Sequence, residues 1–130
     1  EVNSVLNIKP KFMSIFNYRK LIVYQKSKEL VKRTYYLSEQ FPPKENMALC
    51  NQLRRASVSI TSNIAEGVNR FSIKDKKHFV EIAYGPLMEI SSQFEIAEEL
   101  EYISTDERVS IDVLVEEIAR LLSGLRKSYN

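Results

Sequence analysis

From Asn51 to Gly67 the chain reads NQLRRASVSITSNIAEG, a stretch that carries two sets of helical spacing. Leu49, Leu53, Ala56, Ile60 and Ile64 recur at four, three, four and four residues, the period that gathers apolar side chains on one face of an α-helix. Ala56, Ser57, Ser59, Ser62, Ala65 and Gly67 add small residues that let a neighbouring backbone approach closely. A helix with two packing faces belongs among other helices. The pattern points to close packing and to an oligomer interface at Ser57, Ser59 and Ser62 rather than to catalysis.

Three further helical patterns flank it, with short breaks and no internal repeat or low-complexity tract. Val23, Ser27, Leu30, Thr34 and Leu37 predict a first helix from about Tyr18 to Glu39, which Phe41, Pro42 and Pro43 end because proline cannot continue the hydrogen-bond ladder. The second is predicted from about Lys44 to Glu66, closed by Gly67 as a residue tolerant of positive φ. Ser72 with Asp75 reads as the N-cap of a third helix, about Ile73 to Glu101. Phe79, Ala83, Leu87, Ile90, Phe94 and Ala97 point inward from it, and Gly85-Pro86 predicts a kink. Ser104 with Glu107 matches a capping box for the fourth, about Thr105 to Lys127, with Ile111, Leu114, Ile118, Leu121 and Leu125 as its stripe. Short connections make successive helices antiparallel neighbours. The expected fold class is therefore all-α, an antiparallel up-down-up-down four-helix bundle over residues 18–130.

Only three glycines and four prolines in 130 residues agree with that, and a 44% hydrophobic content suffices for one core. The lone Cys50 excludes an intramolecular disulfide. No apolar run approaches the roughly 20 residues that span a bilayer, and no cleavable signal peptide is recognisable, so no membrane association and a cytoplasmic location are expected. The chain begins at Glu1, with Met13 just before the first periodic segment. Residues 1–17 are read as an N-terminal arm, of which 1–12 are a tag, an upstream extension or a disordered segment.

Net charge is only +2, but its distribution is lopsided. Residues 1–80 hold 15 Lys and Arg against 6 Asp and Glu, and residues 81–130 hold 4 against 11, so the two parts carry +9 and −7. An antiparallel bundle gathers Arg19, Lys20, Arg70, Lys74, Lys76, Lys77, Arg126 and Lys127 at one end, opposed mainly by Asp75. Glu95, Glu98, Glu99, Glu101, Asp106, Glu107 and Asp112 collect at the other. Basic residues at a helix C-terminus and acidic ones at an N-terminus follow from the helix dipole. Lys74, Lys76 and Lys77 run against it, because they occupy the first turns of the third helix. Either they form a solvated face or, with the free N–H groups there, they hold phosphate. Arg54 and Arg55 sit mid-helix and suit an interface ion pair or a nucleic-acid contact.

Other chemistry is thinly represented. His78 and Cys50 each stand alone, which leaves no Cys/His metal site, and no metal or cofactor is expected. Glu66 and Glu89 are better read as packing or salt-bridge residues than as a catalytic pair. Neither a Gly-rich phosphate loop, a nucleophile elbow nor a zinc-protease motif is present. Arg-Arg-Ala-Ser at 54–57 has the form of a kinase target but lies inside a packed helix. The expectation is a protein that is not an enzyme.

Several runs together carry a family resemblance: Leu21-Ile22-Val23-Tyr24-Gln25-Lys26, Phe41-Pro42 with Glu45, Gln52-Leu53-Arg54-Arg55-Ala56, Ser59-Ile60, Asn63-Ile64-Ala65-Glu66-Gly67 and Gly85…Leu87…Glu89. Over about residues 15–127 the chain resembles the bacterial four-helix bundle proteins first noticed in intervening sequences of 23S ribosomal RNA genes. The resemblance implies a homopentameric barrel of bundles. It also implies relatives such as the accessory protein of diversity-generating retroelements, whose partners are nucleic acid and a reverse transcriptase. Tyr84-Gly85-Pro86 stands where that family more often has a basic residue, Gly and Ser, so a basic contact near residue 84 is absent. The functional expectation is a homo-oligomeric bundle binding RNA or DNA through Arg19, Lys20, Arg70, Lys74, Lys76 and Lys77, with Arg54 and Arg55 secondary. The alternative is a protein-interaction scaffold without nucleic-acid binding.

Overall fold

The computed structural model describes residues 15–130, so most of the expected arm, including residues 1–12, lies outside the described residues. The described chain forms four helices, α1 (Ile22–Ser38), α2 (Leu49–Val68), α3 (Ile73–Glu99) and α4 (Thr105–Ser128), with 3-10 turns at Asn17–Lys20 and Pro43–Glu45. Among the described residues there is no strand. None of the helices is long and apolar enough to cross a membrane.

Each helix packs on its neighbours in sequence, and α4 closes the ring against α1. Cross-helix bonds fix the directions. Gln93 Nε2 donates to Gln52 Oε1 at 2.9 Å, while Gly67 faces Phe79, so α2 and α3 run oppositely. Arg126 meets Glu81 and Arg108 meets Glu98, which sets α4 antiparallel to α3. Lys26 pairs with Glu117 and Arg33 Nη2 donates to Ser110 Oγ, which does the same for α4 and α1.

Most of the core lies where the spacing puts it. Val23, Ser27, Leu30, Thr34 and Leu37 of α1 are buried, as are Leu53, Ala56, Ile60 and Ile64 of α2. Across from them, α3 buries Ala83, Leu87, Ile90, Phe94 and Ala97, and α4 buries Ile111, Leu114, Ile118 and, outside the predicted stripe, Val115 and Leu122. Leu49, Leu121 and Leu125 of the predicted stripes are only partly buried at its edge. Each fully buried Leu, Ile or Phe contributes about 1.5–3 kcal/mol from loss of water contact. Cys50 is also buried, its thiol donating to the Ser38 carbonyl at 3.3 Å, and burial pushes its pKa up. A protonated interior thiol is a packing group rather than a nucleophile.

The helix ends separate local signals from long-range ones. Ser72 Oγ accepts from the Asp75 N–H at 3.0 Å, and Ser104 with Glu107 forms a complete capping box. Other ends differ from expectation. Tyr18 belongs to a 3-10 turn, because Leu21 adopts an extended ψ of 133° that separates this turn from α1. The second helix begins at Leu49 rather than Lys44. After Pro42 the N–H groups of Glu45, Asn46 and Ala48 each donate to the carbonyl three residues back, and the Glu45 carboxylate receives the Leu49 N–H at 3.4 Å.

Gly67 is not a left-handed terminal residue, since no glycine among the described residues has positive φ. It lies inside α2, which continues to Val68. A Cβ built on Gly67 would fall 2.6 Å from Cβ of Phe79, so the glycine is there because α3 passes too close for a side chain. Phe79 is correspondingly only half-buried, and Val80 takes the core position expected of Phe79. α3 runs unbroken through Gly85 and Pro86 and ends at Glu99 instead of Glu101. Tyr102 N–H bonds the Ala97 carbonyl and Glu101 N–H bonds the Glu98 carbonyl, both at 2.9 Å, with Glu101 at φ 64°. This is a Schellman ending with glutamate in the position that glycine favours.

Candidate nucleic-acid interface

Antiparallel alternation brings four chain segments to one end of the bundle. Asn69 Nδ2 donates to the Ile15 carbonyl at 2.9 Å, tying the segment before α1 to the α2–α3 loop. Lys77 Nζ donates to Asn130 Oδ1, tying the start of α3 to the end of the chain. Arg19, Lys20, Arg70, Lys74, Lys76, Lys77, Arg126 and Lys127 therefore share this end, as expected from the sequence.

Their roles differ. Lys76 Nζ donates to the Val68 carbonyl at 2.6 Å and sits 5.5 Å from the Tyr129 ring, so it caps the last turn of α2 in place of the missing glycine ending. Arg70 pairs with Glu66 at 2.5 Å and stacks over Phe79 at 4.5 Å. Arg126 pairs with Glu81 at 2.8 Å. Arg19 lies over the Phe16 ring at 4.2 Å and near Tyr18 at 5.7 Å. Lys20, Lys74 and Lys127 are exposed and have no ion-pair or hydrogen-bond partner among the described residues. Lys74, Lys77 and Arg126 line a shallow cleft with Asp75, His78 and Glu81. Arg70, Lys76 and Arg126 are thus held in place by the fold, and Lys20, Lys74, Lys77 and Lys127 supply the charge that faces solvent.

Arg54 and Arg55 are not part of this end. About thirteen residues of α2 separate Arg55 from Val68, which at ~1.5 Å per residue is roughly 20 Å. Arg54 Nε donates to Ser38 Oγ at 2.9 Å and its guanidinium lies 5.3 Å from the Tyr35 ring, so it joins α2 to α1. Arg55 is exposed. Of the expected interface serines, Ser57 is fully buried inside the bundle, its Oγ donating to the Arg54 carbonyl at 2.9 Å. That removes it from any outer face. Ser59 and Ser62 do line a surface cleft, with Tyr35, Asn51, Arg54, Arg55 and Val58. The small-residue pattern thus resolves into an inward serine and an outward pair.

The opposite end is acidic. Glu98, Glu99, Glu101 and Glu107 line a shallow depression with Tyr102 and Ser104. Arg108 bridges Glu98 at 2.7 Å and Asp112 at 2.5 Å. The Thr105 hydroxyl, and then Arg108, hold the Glu98 carboxyl below its usual pKa. Tyr102 OH donates to Glu45 Oε2 at 2.8 Å, which raises the phenol pKa and closes this end against the Pro43–Glu45 turn.

Glu66 and Glu89 are kept apart. Glu66 serves Arg70, and Glu89 accepts from Gln93 at 3.3 Å. Among the described residues no group of three or more His, Cys, Asp or Glu side chains is placed to hold a metal ion.

A family model described as 23S rRNA-intervening sequence protein matches residues 19–124, which includes all four helices almost to their ends. The chain belongs to the 23S rRNA-intervening sequence protein family. A crystal structure of an S23 ribosomal protein family member of unknown function from Bacteroides thetaiotaomicron is similar to it, with 27% identity and a TM-score of 0.74. That similarity covers 82% of this chain and 96% of the other. No curated protein matches the chain. Of the eight basic-end cations, the matched region of this family member contains all except Arg126 and Lys127.

Proposed function

We propose that this protein is a non-enzymatic, homo-oligomeric bundle that binds RNA or DNA through its basic end. The observation that carries the reading is that Lys20, Lys74 and Lys127 of the basic end are exposed and without ion-pair or hydrogen-bond partners among the described residues, with Lys77 on the same cleft as Lys74. Lysines in the first turn of α3 run against the helix dipole. A bound anion reverses that penalty, because the free N–H groups and the lysines then act on the same phosphate. The Ser72 cap uses one of those N–H groups and leaves its neighbours available. Phosphate contact of this kind positions a nucleic acid without reading its sequence.

Oligomerisation through the Ser59, Ser62 and Val58 face fits this function. It repeats the basic end around a ring, so individually weak contacts act at high effective concentration. The test compares charge removal at two places. Replacing Lys20, Lys74 and Lys127 with glutamine is expected to weaken binding of RNA and DNA strands in fluorescence anisotropy, while Arg55→Gln leaves it unchanged. Equal losses from both variants would place the site elsewhere. No binding by the intact protein would leave the charged ends as protein-docking surfaces, which is the scaffold reading.

A further inference from the structure

We infer that Phe71 is a base-stacking platform that makes the basic end selective for single-stranded over duplex nucleic acid. This rests on the nucleic-acid reading above and names the class of nucleic acid for that same site.

Phe71 is the most exposed large apolar residue among those described, at 103% relative exposure. No ring or cation partner occupies either face of it among the described residues. The loop that carries it is held on both sides rather than loose. Arg70 N–H bonds the Gly67 carbonyl at 3.1 Å, and the Arg70 side chain folds back onto Glu66 and Phe79. Asn69 is tied to Ile15, and Ser72 is committed to capping α3. With the side chains of both neighbours committed to these bonds, the intervening ring is presented to solvent.

The charges around it belong to the same short segment. Lys74 follows three residues later on the first turn of α3, with Lys77 on the same cleft. An aromatic face beside cations that no carboxylate neutralises is the pairing that single-strand binders use: phosphates are neutralised while an unstacked base covers the ring. A duplex offers the same phosphates, but its bases are already stacked and cannot reach Phe71. A membrane is the other polyanionic surface that an apolar tip with lysines suits. However, interfacial anchoring scales with buried apolar area. Here that area is one ring and the half-exposed Ile15, Ile22 and Ile73, interrupted by Arg19, Lys20, Arg70, Ser72 and Lys74.

The test measures affinity of the full chain for a labelled uridine-only RNA strand, a mixed-sequence strand, the corresponding duplex, and phosphatidylserine vesicles. The strands are expected to bind more tightly than the duplex. Phe71→Ala should weaken strand binding about five-fold or more per stacked base and leave duplex binding unchanged. Because stacking releases no counterions, the dependence on salt should keep its slope while the affinity drops. Phe71→Tyr should bind like the natural protein and Phe71→Leu like the alanine variant. That pair separates a π face from general apolarity.

Equal affinity for strand and duplex, an unaffected Phe71→Ala protein, or full activity in Phe71→Leu would overturn the inference. So would a loss on phosphatidylserine vesicles with none on RNA. If the lysine variants lose binding while Phe71→Ala does not, the nucleic-acid function stands and the stacking role fails. Absence of any binding removes both.

Discussion

Substituting Gly67 tests why α2 and α3 meet as they do beneath the basic end. A Cβ at that position would lie 2.6 Å from Phe79 Cβ, whereas ordinary contact begins at 3.4 Å, so the two helices must part by about 0.8 Å. The obstructing atom is next to the backbone and has no rotamer to escape through. Overpacking of this kind costs about 1–3 kcal/mol. Against it stands the helix propensity of alanine over glycine, about 1 kcal/mol in the interior of a helix. The single Gly67→Ala variant is thus expected to be neutral to about 2 kcal/mol less stable.

The informative quantity is the coupling to Phe79. Phe79→Gly removes the opposing Cβ, and in that background Gly67→Ala should show only its propensity gain. A double-mutant cycle by urea denaturation should therefore give an interaction energy of about 1–3 kcal/mol. If Gly67 served only as a helix terminator, alanine would cost the same whatever stood at 79. Additivity within about 0.5 kcal/mol would refute close approach as the reason for the glycine.

Glu101→Gly should stabilise the protein by about 0.5–1 kcal/mol in the same assay, since relief of the left-handed strain outweighs the extra freedom of the unfolded chain; a loss would contradict the Schellman assignment. Glu98 is held below the ordinary glutamate value of 4.5, so its stabilising contribution is present above that pH and disappears as pH falls through the lowered value. The Tm difference between the natural protein and Glu98→Gln should accordingly shrink below pH 4.5, and a pH-independent difference would disprove it. For assembly, Ser62→Arg should reduce the mass measured by light scattering, while Ser57 substitutions should act on stability instead; an unchanged mass on Ser62→Arg moves the interface off this face.

Features that depend on neighbours in sequence are legible from the residues alone. Ser72 and Ser104 cap their helices because the accepting oxygen and the N–H three residues on belong to one turn. The α1 stripe is legible for the same reason: one period fixes one face. The basic end follows from alternation alone. What the residues do not reveal is set by atoms from other helices. Gly67 looks like a terminator in sequence, and only the passage of Phe79 shows it to be a contact point. Size favours Phe79 for the core, yet the three-four register through Val80, Ala83 and Leu87 puts the smaller residue inside. Ser57 and Ser59 look alike until Ile60 and Ile64 orient the helix, after which one is inside and the other outside.

The candidate site divides the same way. Sequence groups eight cations, but it cannot tell that Glu66 and Glu81 neutralise two of them or that Lys76 caps α2. Nor does it single out Phe71, whose exposure follows from where Arg70 and Ser72 turn. A lone aromatic between two committed polar residues in a short loop is the available signal.

The most direct test of nucleic-acid binding at the basic end is the salt dependence of affinity for a single RNA strand, measured by anisotropy from about 50 to 200 mM salt. Log affinity is expected to fall linearly with log salt, with a slope of about −0.7 for each phosphate neutralised. Replacing Lys20, Lys74 and Lys127 with glutamine should flatten that slope while helicity and assembly persist. Binding that is undetectable at the lowest salt, or a slope that the triple replacement leaves unchanged, would contradict the claim that the basic end holds nucleic acid.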